Sequence, residues 1–326
     1  MSDDGLQAEI QAALGEQYSL ERELPRGGMS RVFVAIENAL RRHVVIKVLS
    51  PELAATLSAE RFKREIAMAA RLQHPHIVPL LNAGLAGPHL YYTMPLVDGE
   101  SLRGRIDRER PMAISDIVSI VEEVARALAY AHEEGVVHRD IKPENVMFFH
   151  GQAVVLDFGI GKALVRASTS ETEIMRITQA GMSLGTPTYV APEQAMGDAA
   201  LDHRADLYAL GVVAYEMITG HPPFAGRSPQ QVIEAHANRR PESIETRRPE
   251  TPRRLSAIVM QCLEKAPGDR PGSGDEIVRA LDPSGASRGG LRGGSLMTQT
   301  WVPWTLALIS TTVAAVFAAL YLTRGP

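Results

Sequence analysis

His138-Arg139-Asp140-Ile141-Lys142-Pro143-Glu144-Asn145, followed twelve residues after Asn145 by Asp157-Phe158-Gly159, constrains this 326-residue chain more than any other stretch. A carboxylate, an ammonium, an amide and a second carboxylate at these spacings match what transfer of a nucleotide γ-phosphoryl group to a hydroxyl demands. Asp140 is expected to accept the hydroxyl proton and Lys142 to neutralise charge on the moving phosphoryl. Asn145 and Asp157 are expected to offer hard oxygen ligands to Mg²⁺. A lone His-Arg-Asp is usually a turn with a solvated ion pair; the inference rests on two motifs occurring in order at loop-compatible spacing.

Composition removes several other classes of function. Apolar content of 45% with 22% charged residues is that of a globular protein, and a net charge of −4 gives no basic surface to track a nucleic-acid backbone, so no nucleic-acid partner is expected. Cys262, the sole cysteine, has no partner for an intramolecular disulfide and no Cys or His pattern around it for structural zinc, so it is read as a small buried residue. The acidic start, Met1-Ser2-Asp3-Asp4-Gly5, leads into a short amphipathic stretch, and no signal peptide is expected.

Hydrophobic periodicity divides the chain. A helix is expected over Leu6–Leu14 in a lead-in of residues 1–17, then strands over Tyr18–Glu23, Arg31–Glu37 and His43–Leu49. A helix over Ser58–Leu72 should stop before His74-Pro75, because the residue preceding proline is driven out of the α region. After a strand over Leu90–Val97 come helices over Ile114–His132, Asp206–Thr219 (ended by Gly220) and Leu255–Glu264. This is the α+β pattern of two lobes: a β-rich one over residues 18–97 and a helical one over 98–282, meeting near Asp98-Gly99. Residues 283–300 read as a flexible Gly/Ser/Arg linker. Residues 301–323 contain no charge and are long enough to cross about 30 Å of hydrocarbon as a transmembrane helix, with Trp301, Trp304 and Tyr321 at its ends. The chain is therefore expected to be anchored by its tail, with the catalytic unit facing the ATP-containing cytoplasm.

Two further stretches point to nucleotide. In Leu24-Pro25-Arg26-Gly27-Gly28-Met29-Ser30-Arg31-Val32, between the first two strands, small residues let backbone amides approach phosphates. Gly27 and Val32 stand in register with a glycine-rich phosphate loop, whereas Pro25 and Ser30 replace its first and third glycines. Val44-Val45-Ile46-Lys47 puts an ammonium at the end of an apolar strand, where it needs anionic partners. Phosphates are one, and Glu65, on the helix whose buried face is Phe62, Ile66 and Ala69, is the expected carboxylate.

On these residues the chain resembles a eukaryotic-type serine/threonine protein kinase of the bacterial, membrane-anchored kind, over roughly Tyr18 to Leu281. The resemblance implies the bilobal kinase fold, with ATP and Mg²⁺ or Mn²⁺ as cofactors and protein Ser/Thr hydroxyls as acceptors. It implies Met94 as gatekeeper, Pro95 to Val97 as the hinge whose main chain meets adenine, and Leu24, Val32, Val45 and Met147 around the base. It further implies that Thr186 bridges Asp140 and Lys142, that Glu193 pairs with Arg270, and that Asp206 holds the catalytic loop from below. The polar stretch between Gly159 and Gly185 reads as a loop for autophosphorylation, Thr178 foremost, with Arg139 available to pair with the phosphate. Self-association through the tail would favour phosphorylation between neighbours. The rivals are a nucleotide-binding pseudokinase scaffold, favoured by the altered glycine loop, and a small-molecule phosphotransferase, disfavoured by Thr186 and Ala191-Pro192-Glu193.

Overall fold

The structure, a computed structural model, describes residues 3–24, 30–50, 59–158, 187–196 and 202–282. Every described residue belongs to one compact unit, Met1–Gly285. Among the described residues no helix is long and apolar enough to cross a membrane. The segment read as a span, 301–323, lies outside them, as do the linker 283–300, Gly27, Gly28, Thr178 and Thr186.

The first lobe is an antiparallel five-stranded sheet in the order β1-β2-β3-β5-β4, built from β1 (Tyr18–Glu23), β2 (Ser30–Glu37), β3 (Arg42–Leu49), β4 (Asn82–Ala86) and β5 (His89–Pro95). The first three match the expected strands to within a residue at each end. Strand β3 runs apolar because both faces of the sheet are covered. Val44, Ile46 and Val48 pack with Phe33 and Tyr91 against Ile10 and Leu14 of α1 (Asp3–Leu14). Val45 and Leu49 point to the opposite face, with Tyr92 and Met94, against Phe62, Ile66 and Ala69 of α2 (Ala59–Ala69). Lys47 shares the parity of Val45 and Leu49 and so emerges on the α2 side.

Helix α2 ends three residues before the expected Leu72. Its last turn tightens, with Arg71 N donating to Met68 O and Leu72 N to Ala69 O, both at 3.2 Å, and Leu72 turns into the core of the second lobe. The chain then crosses the lobe junction: Ile77 bridges Val155, Val155 N donates to His76 O at 2.9 Å, and Val78 N donates to Val155 O at 3.0 Å.

The second lobe comprises α3 (Leu102–Arg108), α4 (Ile114–Glu133), the hairpin β6 (Val146–Phe149) and β7 (Gln152–Val155), α5 (Pro192–Ala195), α6 (Arg204–Thr219), α7 (Pro229–Asn238), α8 (Ile244–Arg247), α9 (Arg253–Cys262) and α10 (Gly274–Leu281). At its centre α6 is buried from Ala205 to Ile218 and is stopped by Gly220 in the left-handed region, as its unbroken apolar run requires. A Cβ on Gly211 of α6 would lie 2.6 Å from Cys262 Cβ, so α9 approaches α6 through a glycine. Burial pushes the Cys262 thiol up to about 12, which makes it the inert core residue the sequence suggested.

Candidate active site

The catalytic loop is shaped from beneath by one buried carboxylate. Asp206, near the start of α6, accepts from His138 N through Oδ2 and from Arg139 N through Oδ1, both at 2.7 Å, and Oδ2 also meets His132 Nε2 at 2.8 Å. Burial raises the Asp206 pKa, but the hydrogen bond and charge of His132, then His138 and the Arg139 amide, outweigh it and leave it below the ordinary carboxylate value. The two donated amides hold Arg139 at φ 67°, a left-handed backbone that a non-glycine residue rarely adopts. The loop behind that turn presents Asp140 to the cleft.

Asp140 Oδ2 accepts from Lys142 Nζ at 2.8 Å and from Asn145 Nδ2 at 3.1 Å. Asn145 Nδ2 also donates to the Asp140 carbonyl at 2.8 Å, so its own side-chain oxygen is the atom left for another partner. The one-turn 3₁₀ helix Pro143–Asn145 leads directly into β6, and Leu156 N donates to Asn145 O at 2.9 Å. Because β6 pairs with β7 as Val146↔Val155, Asn145 and Asp157 stand just beyond the same end of that hairpin. An ionised carboxylate beside an amide oxygen is a donor set that fits Mg²⁺ or Mn²⁺.

Asp157 is half-buried with φ 59°, and both its oxygens are engaged: Lys47 Nζ donates to Oδ2 at 2.7 Å and Tyr92 Oη to Oδ1 at 2.8 Å. Burial raises its pKa, but the Lys47 ammonium and the hydrogen bonds from Lys47 and Tyr92 prevail, so the group is held below the usual carboxylate range. The next residue, Phe158, is buried edge-on against the His138 ring, with centroids 4.8 Å apart, and His138 Nε2 hydrogen-bonds Leu156 O at 2.7 Å. The two motifs of the sequence are thus packed on one another.

One expected contact is corrected. Glu65 lies on α2 among Phe62, Ile66 and Ala69, which are buried as predicted, but it forms no ion pair with Lys47. The lysine's carboxylate partner is Asp157, whose charge lies directly under the end of β3, and the hydroxyl of Tyr92 completes the cluster. Tyr92 was not singled out from the sequence; only the register Lys47↔Tyr92, which sets the two side chains side by side on one sheet face, exposes it.

The described residues expected around a nucleotide base lie at the end of β1, on β2, β3, β5 and β6, and in the segment after β5. Leu24 N donates to Val32 O at 2.8 Å, which closes the base of the β1–β2 turn, and Ser30 opens β2. Val32 stands opposite Lys47, and Val45 opposite Met94. Pro95 ends β5 and keeps the carbonyl that a base could use, though not the amide; Val97 follows in the connecting segment. Below it, Met147 of β6 bridges Ser101, and Phe148 N donates to Glu100 O at 2.9 Å. These contacts demand Gly99, where a Cβ would fall 1.9 Å from Phe148 O. Behind Met94 a small cavity is walled by Ala69, Leu72, Leu80, Tyr92, Asp157 and Phe158.

Two ion pairs on buried carboxylates, Glu193 and Glu216, tie elements of the second lobe together. Arg270 donates through Nη1 and Nη2 to both oxygens of Glu193, each at 2.7 Å, and is capped by carbonyls of Arg204, Glu264 and Lys265. Arg103 of α3 donates to Glu216 Oε1 at 2.9 Å, while Tyr189 Oη donates to Glu216 Oε2 at 2.6 Å. The first was expected from the sequence and the second was not.

Comparison with known proteins agrees with this geometry. A family model described as protein kinase domain matches residues 18–280. Serine/threonine-protein kinase PknB of Mycolicibacterium smegmatis and of Mycobacterium tuberculosis are each 39% identical over 263 residues, covering 79% of this chain and 41% of theirs. Serine/threonine-protein kinase pkn2 of Myxococcus xanthus is 37% identical over 275 residues, covering 82% of this chain and 32% of its own length. The chain thus spans about two fifths or less of the length of these relatives. The crystal structure of the Mycobacterium tuberculosis PknI kinase domain superposes with a TM-score of 0.63 at 31% identity, covering 81% of this chain and 94% of that one. Sequence match and fold point the same way, and the chain belongs to the protein kinase domain family.

Proposed function

We propose that this chain is a serine/threonine protein kinase that transfers the γ-phosphoryl group of ATP to protein hydroxyls with Mg²⁺, or Mn²⁺ in its place. The observation that carries the reading is the Asp140 cluster: a carboxylate steadied by Lys142 and Asn145, one hairpin end away from the Asp157 carboxylate. Asp140 accepts the proton of the acceptor hydroxyl as its oxygen bonds to the γ-phosphorus and the bond to the ADP oxygen breaks. Lys142 offsets the charge that spreads over the transferring oxygens. Lys47 clamps the α- and β-phosphates, and Asn145 and Asp157 would hold the cation. That cation, when bound, neutralises phosphate charge and keeps the reacting oxygens in line.

Three finer features belong to the same proposal. The polar stretch between Gly159 and Gly185 is phosphorylated by the kinase itself, Thr178 foremost, and Arg139 receives the phosphate; its Nε is buried without a hydrogen-bond partner among the described residues. Thr186 bridges Asp140 and Lys142, as the family resemblance implies. The charge-free segment 301–323 anchors the chain in a membrane with the kinase on the cytoplasmic side, and so concentrates neighbouring copies for mutual phosphorylation. A second reading, a nucleotide-binding scaffold without transfer, draws on the absence of a Lys47–Glu65 ion pair and on Pro25 in the glycine-rich stretch.

The test is transfer of labelled γ-phosphate to a generic protein substrate, wild type beside Asp157→Asn. Transfer by the wild type that needs ATP and divalent metal and vanishes in the variant is the expected result. Equal signals from the two would rule out the enzyme, and metal-independent nucleotide binding without transfer would favour the scaffold. For the anchor, cell membranes should retain the full chain and release one ending at residue 300; release of both would dismiss it.

A further inference from the structure

We propose that Tyr92 is a positioning residue for the metal-binding carboxylate: its hydroxyl anchors Asp157 Oδ1, leaving Oδ2 to serve the cation when Lys47 turns to phosphate. The proposal rests on the kinase reading above and adds to it a residue outside the motifs that carried that reading.

The geometry is that of a two-pronged donor. Lys47 and Tyr92 are cross-strand partners on β3 and β5, and their side chains leave the same sheet face. One takes Asp157 Oδ2 at 2.7 Å and the other Oδ1 at 2.8 Å. The two donors are not equivalent. Lys47 ends in a flexible ammonium suited to moving between anions, whereas Tyr92 is a rigid ring, 2% exposed, packed beside Met94 and Ala69. A buried phenol hydroxyl needs a partner, and the one the structure gives it is Asp157.

Such an anchor is needed because the backbone at Asp157 is unusual. With φ at 59° and Phe158 buried against His138, the residue sits in a conformation that only its surroundings maintain. Among the described residues Lys47 is the other side-chain donor on the carboxylate; once it turns to phosphate, Tyr92 is the described side chain still holding Asp157. A single fixed oxygen leaves the second one free to rotate only about the anchored position, which preorganises it for a cation.

The experiment compares wild-type full-length protein with Tyr92→Phe, which keeps the ring and removes only the donor. Mn²⁺ binding in the presence of a non-hydrolysable ATP analogue is followed by electron paramagnetic resonance, and analogue binding without metal is measured separately. Y92F should bind Mn²⁺ about tenfold more weakly, the loss expected for one hydrogen bond to a charged acceptor, with metal-free analogue binding unchanged. The Mg²⁺ concentration for half-maximal turnover should rise with it. Unchanged or tighter Mn²⁺ binding in Y92F overturns the proposal. Should Y92F lose metal-free analogue binding, Tyr92→Leu is compared in the same way; loss there too makes Tyr92 a packing residue and equally overturns it. A wild-type chain that transfers no phosphate would instead defeat the kinase reading, an outcome separate from any difference between wild type and Y92F.

Discussion

Gly99 carries no reactive group, yet it fixes how closely the segment between the lobes approaches β6. With its Cβ position 1.9 Å from Phe148 O, Gly99→Ala must push the two backbones apart. The expected result is a loss of about 1–3 kcal/mol in stability, the usual scale of overpacking, and weaker nucleotide binding, read by urea denaturation and by titration with an ATP analogue. In the sequence Gly99 marked only a boundary, because a close approach between segments 49 residues apart leaves no local trace. The chemistry-bearing residues were easier to read. Asp140, Lys142, Asn145 and Asp157 are close along the chain, and the hairpin that joins them is short, so spacing alone nearly fixes their convergence. Lys47 was legible as a charge in an apolar strand, but its partner was not. Whether Glu65 or Asp157 meets it depends on the placement of α2 against the sheet, and Tyr92 depends on strand register; neither quantity is a property of one segment.

Elements communicate here through buried polar contacts, and two of these can be tested. The α5 residue Glu193 and Arg270, which precedes α10, form a bidentate pair in which Arg270 has a fully buried side chain. Glu193→Ala strands the guanidinium, so stability should fall by about 3–5 kcal/mol, measured by denaturant titration. The second contact joins α7 to the segment before α5. His236 Nδ1 lies 2.8 Å from the Tyr208 hydroxyl, the ring packs edge-on against Phe224, and a backbone hydrogen bond reaches Thr188. Burial and then the Lys265 charge lower its pKa to about 4, against a weaker upward pull from the Thr188 contact. Its contribution is therefore complete above pH 6.5 and is lost as pH falls toward 4, since the unfolded chain takes up the proton first. About 2–3 kcal/mol should disappear between pH 7 and pH 4.5 in the wild type beyond any loss in His236→Gln, compared by melts at the two pH values. Helix α7 and this contact were absent from the sequence reading. Its buried face is short, Val232, Ala235 and His236, and gives little periodicity to read. The apolar run of α6, in contrast, could be read at once, because a helix buried on every side needs no periodicity.

At the scale of the molecule, the described fold closes at α10, where Leu281 is buried in the core of the second lobe. A chain ending at Asp282 should fold and phosphorylate a soluble protein substrate as well as the full chain does, while phosphorylation of its own loop in cells should drop if the tail concentrates copies. A truncated chain that aggregates or loses activity on the soluble substrate would show that the tail takes part in the catalytic fold. The two-lobe division was legible because the composition changes from strand-rich to helix-rich near Gly99, whereas the contacts between the lobes, Ile77 with Val155 and Lys47 with Asp157, needed the structure. The central claim is that Asp140 and its neighbours form a working phosphotransfer site. It is tested most directly by intact-mass spectrometry of the purified protein before and after incubation with ATP and Mg²⁺, with Asp140→Asn alongside. Phosphate added to serine or threonine in the wild type and absent from the variant is the predicted result; no added mass in the wild type, or the same mass in both, would contradict it.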